Sequence, residues 1–144
     1  MPPEFDTPAH EEIYQVVEDY LVALDLPYHK RSEHTMFSLA LARDMAVHVI
    51  VTGWGDDDAM IIVRAWIVRP ETLSAELLLY LLERNCAPRL GALAVDPDGD
   101  VMFQYVLGGA ELDSGELRDA VYAVQLGGAR ARDRILSRFA GRPL

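Results

Sequence analysis

Few side chains in this 144-residue sequence stand where a reaction would need them. The lone cysteine, Cys86, ends a leucine-rich run. A thiolate nucleophile needs a base beside it, and no histidine is near Cys86 in sequence. The bland alternative is a small hydrophobe. His10, His29, His34 and His48 form no recognised ligand spacing such as HExxH or CxxC. His29 and His34 share a loop without an evident third ligand. Asp96, Asp98 and Asp100 have the alternate-acid spacing that opens a calcium loop, but Val101 stands where its glycine is due and Leu107 where its glutamate is due. A hairpin turn explains these acids better, and Asp56, Asp57 and Asp58 read as a solvated turn. Gly53-Trp54-Gly55 lacks the third glycine of a dinucleotide loop, and the adjacent aspartates would repel a pyrophosphate. No GxSxG elbow occurs. No carboxylate pair sits in an identifiable apolar pocket that would split its pKa values. The sequence therefore predicts no catalytic residue, no metal and no cofactor. The alternative is a small-ligand binder or enzyme whose cleft, around His48 or Cys86, is assembled from dispersed residues.

Charge excludes further classes. The net charge is -10, which argues against a general nucleic-acid or anionic-membrane surface. The distribution is uneven: residues 130–144 carry +4, leaving -14 on the rest. Arg130, Arg134 and Arg138 line one helix flank at i, i+4. They read either as complement to a helix C-terminus or as docking onto an acidic partner or the acidic body of a second subunit. The opening MPPEFDTP has no apolar core and does not read as a signal peptide. The longest apolar run, Leu77 to Leu82, is too short to span a bilayer. The expected location is the cytoplasm. About half the residues are apolar and a quarter charged, which is globular composition. With no linker or repeat, residues 1–144 read as one domain.

The elements follow from periodicity. Thr7-Pro8 supplies a cap and a first-turn proline. Ile13, Val16, Val17, Tyr20, Leu21 and Leu24 then give a helical stripe that Pro27 ends. Residues 28–35 read as a polar loop. Three alternating strands follow, Met36–Ala42, Ala46–Trp54 and Met60–Arg69, joined by turns at Arg43-Asp44 and at 53–58. In the third, Ile61, Val63, Ala65 and Ile67 face the helices, whereas Ile62, Arg64, Trp66 and Val68 point the other way. With Trp54, the apolar members of that set form a patch, unless the last helix covers it.

Next comes a helix over 71–86. Leu73, Leu77, Tyr80 and Leu81 share one side; Leu78, Leu79, Leu82 and Cys86 make a second apolar side. A helix apolar nearly all round must be covered twice. The second cover is either a later helix or another subunit. A hairpin follows, Ala92–Val95 and Val101–Leu107, with its turn at Asp96-Pro97-Asp98-Gly99-Asp100. Asp113 and Glu116 resemble a capping box. The last helix keeps one stripe, Leu117 to Phe139, across Gly127-Gly128, so it is one helix that could kink there. Small residues at that pair would let another backbone approach closely. The order is α-β-β-β-α-β-β-α and the class α+β.

Three strings, LLLYLLERN, LGALAVDPDGDVMFQYVL and LDSGELRDAVYAV, resemble the YbjN-like and type III secretion-chaperone-like (Tir chaperone-like) family. The resemblance is strongest over residues 60–127. It implies helices packed on a curved antiparallel sheet and a homodimer that holds protein or peptide clients. By that resemblance Leu77, Leu78, Leu81 and Leu82 include dimer contacts. Trp54, Ile62, Arg64, Trp66 and Val68 are the client-binding candidates. The expected function is a non-enzymatic protein-binding module, chaperone-like or regulatory.

Overall fold

The computed structural model describes residues 2–42 and 44–144. Of the turn expected at Arg43-Asp44, Arg43 lies outside the described residues. Helix α1 (Pro8–Ala23) starts as its sequence dictates, the Thr7 hydroxyl accepting from the His10 amide. Strand β1 (His29–Arg31) and a single 3-10 turn (Ser32–His34) follow. Next come β2 (Met36–Ala42), β3 (Met45–Trp54) and β4 (Asp58–Pro70), then α2 (Ala75–Arg84). Strands β5 (Ala92–Val95) and β6 (Val101–Gly108), α3 (Ser114–Leu136) and β7 (Gly141–Pro143) complete the chain.

The described strands form one antiparallel sheet in the order β1-β2-β3-β4-β6-β5, with β7 pairing the far end of β4. Register fixes which residues share a face. Phe37 opposes Val49, Val49 opposes Val63, and Val63 opposes Tyr105. This inner face carries α1 and α3. Tyr14 of α1 stacks on Phe37 with ring centroids 4.8 Å apart. Gly128 of α3 seats on Ile67 and Met45. Val17, Leu21, Val47, Val49, Val51, Ile61, Val63, Phe103, Leu117, Val121 and Val124 form the centre of the core.

Three segments depart from the sequence reading. The central helix spans Ala75–Arg84 rather than 71–86, so Leu73 precedes its Ser74 cap and lies exposed. Residues 29–31, expected in a polar loop, form an edge strand whose side chains are all exposed, so nothing in them alternates. The last helix ends at Leu136 rather than running through Phe139, and residues 141–143 return to the sheet. It does pass Gly127-Gly128 as one helix. What Gly127 admits is not a backbone but the Phe103 ring.

Local chemistry pins the second half. Ser74 caps α2 by accepting from the Leu77 amide, and Asp113 caps α3 by accepting from the Glu116 amide. In the β5–β6 turn, Asp96 Oδ1 accepts from the Asp98 and Asp100 amides, and Gly99 takes φ +87°. Asp96 thus serves the turn and also Trp66, while Asp100 pairs with Arg69 of β4. Asn85 closes α2 against β5: its amide nitrogen donates to the Leu93 carbonyl at 2.9 Å, and its oxygen accepts from the Leu93 amide at 2.8 Å.

Candidate functional site

The outer face of the sheet carries no helix among the described residues. Cross-strand register arranges it in rows. Met36, Ile50, Ile62 and Val106 form one row; Thr52, Met60 and Gly108 form the next; Trp54 pairs with Asp58 at the β3–β4 turn. Val106 is 48% exposed and Trp54 63% exposed. Between them, a hollow of about 190 Å³ opens over Met60, Gly108 and Asp58. The result is an apolar strip across β3, β4 and β6, with Met36 of β2 buried at its margin.

A polar and aromatic cluster borders this strip. His48 opposes Arg64, which opposes Gln104, and Arg64 Nε donates to Gln104 Oε1 at 2.9 Å. The Arg64 guanidinium lies 5.6 Å from the centre of the Trp66 ring. Trp66 Nε1 donates to Asp96 Oδ2 at 3.0 Å, which fixes the indole on the sheet. His48 meets the other side of this cluster, edge-on to Trp66 at 5.2 Å. Its Nδ1 shares a hydrogen bond with Ser38 Oγ, to which Arg31 also donates. Burial, then the charges of Arg31 and Arg64, push the His48 pKa down. Burial also lowers that of Arg64, opposed by Asp96.

Of the client-binding residues expected from sequence, the structure brings Ile62, Arg64 and Trp66 onto this face in succession and sets Trp54 at its end. Val68 is a correction. Strand β4 carries one extra residue between Trp66 and Val68, so Val68 opposes Val101 on the inner side and is 1% exposed. Strict alternation fails at such a bulge. The expected set also omits Ile50, Met60 and Val106; spacing within a strand does not tell which residue of β6 lies beside Ile62.

The leucines of α2 divide. Leu77 and Leu81 are buried in the chain's own core, and Tyr80 with them. Leu78, Leu79 and Leu82 lie open, Leu82 at 66% exposure, with Leu73 and Leu90 nearby in sequence and also open. Of the four residues expected at a subunit contact, only Leu78 and Leu82 therefore present side chains outward.

The remaining chemistry-bearing residues have structural surroundings. His10 is buried; the Asp6 amide donates to its Nδ1, and its Nε2 lies 2.8 Å from the Val51 carbonyl. That arrangement places the ring hydrogen on Nε2 and ties α1 to β3. Cys86 is exposed, its thiol 3.9 Å from the Leu82 carbonyl. Among the described residues no group of three or more His, Cys, Asp or Glu side chains is placed to hold a metal ion. No helix among them is long and apolar enough to cross a membrane.

Two solved structures of chaperone complexes share this fold. The chain superposes on the HopA1-SchA chaperone-effector complex with a TM-score of 0.62 at 12% identity, covering 84% of this chain and 94% of that one. It superposes on the Yersinia pestis type III secretion chaperone SycH, in complex with a stable fragment of YscM2, with a TM-score of 0.57 at 13% identity, covering 82% and 98%. Residues 14–137 match the YbjN family, described as "Putative bacterial sensory transduction regulator", and the chain belongs to that family. No curated protein matches it in sequence.

Proposed function

We propose that this chain is a non-enzymatic protein-binding module, chaperone-like or regulatory, that works as a homodimer. The observation that carries the reading is the bare outer face, where Ile50, Ile62 and Val106 line up across the sheet beside Met60, with no helix over them among the described residues. A contiguous uncovered apolar strip rimmed by polar groups is the mark of a binding surface. An extended client segment suits it, because side chains spaced along a strand can meet successive rows. The two structures it superposes on are chaperones in complex with an effector or a protein fragment, which supports the same use of the fold here. The open leucines of α2 are the surface for the second subunit.

The test is to titrate the purified chain with arrayed peptides. Apolar segments should bind in the micromolar range, and Ile62→Asp should abolish binding while the circular dichroism spectrum stays unchanged. A response to small metabolites alone, or binding that survives Ile62→Asp, would overturn the reading.

A further inference from the structure

Away from the outer face, a cavity of about 240 Å³ opens between α2, the segment after it and α3. Four arginines line it: Arg84 and Arg89 from one side, Arg130 and Arg134 from the other. Its floor is apolar, with Leu93 and the buried ring of Tyr80. No aspartate or glutamate lines it. A fifth guanidinium, Arg138, lies 4.8 Å from the centre of the Tyr80 ring, and that of Arg84 lies 5.5 Å from it. Arg89 is held over the cavity by donating to the Arg84 carbonyl. Among the described residues, none of the five has a carboxylate oxygen within 4.0 Å.

In a chain of net charge -10, five of the thirteen basic residues thus converge without an acidic partner. A stripe of arginines on α3 alone would be helix-end chemistry. Here the structure brings two more from α2 and the segment following it, and encloses a space between them. Like charges gathered around one hollow repel each other unless an anion sits among them.

We infer that this cavity is a binding site for a compact phosphate-bearing anion, a chain of two or three phosphates either free or as part of a nucleotide. Guanidinium forks match phosphate oxygens bidentately. A single carboxylate brings one charge to five cations, whereas a triphosphate brings several charges on few atoms. A nucleic acid would also have to lie against the acidic remainder of the surface; a small anion inside the cavity would not. The apolar floor with Tyr80 offers a seat for a base, so the two sources of the phosphate chain are separable.

The experiment is calorimetric titration of the full chain with sodium tripolyphosphate, pyrophosphate, orthophosphate and ATP at fixed ionic strength. Tripolyphosphate should bind, with affinity falling as phosphates are removed. Arg130→Gln with Arg134→Gln should weaken it about tenfold or more, as expected for losing charge-assisted bonds, with an unchanged melting profile. Arg84→Gln with Arg89→Gln, on the opposite wall, should do the same, so the result does not rest on one variant folding. ATP tighter than tripolyphosphate assigns a nucleotide; equal affinity assigns free polyphosphate. Absence of binding by both, binding insensitive to both double variants, or tighter binding of poly-glutamate or single-stranded RNA would overturn the inference.

Discussion

A methyl group added at Gly127 would stand 2.8 Å from Cζ of the buried Phe103 ring. One added at Gly128 would meet Ile67 and Met45 at 3.5 Å, ordinary contact. Neighbouring glycines on one helix therefore predict opposite outcomes. Gly128→Ala should raise stability by about 0.5–1 kcal/mol, the helix-propensity gain. Gly127→Ala should lower it by about 1–3 kcal/mol through overpacking. Urea unfolding of both variants checks the pair; equal effects would contradict it. Asp100 makes a second prediction at this scale. It receives both Nε and Nη2 of Arg69, at 2.9 and 2.8 Å, and that hydrogen bonding holds its carboxyl below the usual carboxylate range. A depressed carboxylate stabilises the fold fully above its unfolded value of about 3.9 and loses that contribution as pH falls through the lower folded value. Melting followed below pH 4 should therefore drop more steeply for the parent than for Asp100→Asn, which starts less stable and has no such titration.

Helix α2 shows what a sequence pattern carries and what it does not. Two apolar sides were legible from leucine spacing alone, and the structure buries Leu77 and Leu81 while leaving Leu78, Leu79 and Leu82 open. Which side faced the core was not legible, because both are equally apolar. Leu78→Gln with Leu82→Gln should halve the mass measured by light scattering while the circular dichroism spectrum is retained, since exposed substitutions cost the subunit itself little. An unchanged mass would remove α2 as the subunit contact. The alternating strands, the Asp-Gly turn and both aspartate and threonine caps were equally readable, because each is set by neighbours in sequence. Strands β1 and β7 were not: three exposed residues each carry no burial period, and they pair only because a longer strand is beside them. The bulge that turns Val68 inward was hidden too, because the extra residue shows only in how β4 pairs with β6. So was the arginine cavity, whose two walls lie more than forty residues apart in sequence, as Arg84 and Arg130 are.

At the scale of the whole molecule the sheet has two faces with different duties, one filled by helices and one bare, and its ends matter as much as its faces. The outermost strands are β1 and β5. Strand β1 is short and exposed, and its Lys30 and Arg31 carry charge, which discourages another backbone from adding to it. Strand β5 is apolar and would be the vulnerable margin. There the Asn85 amide makes the same two bonds to Leu93 that an incoming polypeptide would make. A single side chain thus counterfeits a neighbouring strand and keeps foreign ones out. Asn85→Ala should leave that margin unguarded, and concentrated samples should then gain thioflavin fluorescence and sediment over time where the parent remains clear. A clear, non-fluorescent Asn85→Ala sample would mean that the seal lies elsewhere. Under the proposed function such a stopper has a particular use, since a chain that holds apolar segments would otherwise offer its own unsealed rim as the first thing its copies polymerise through.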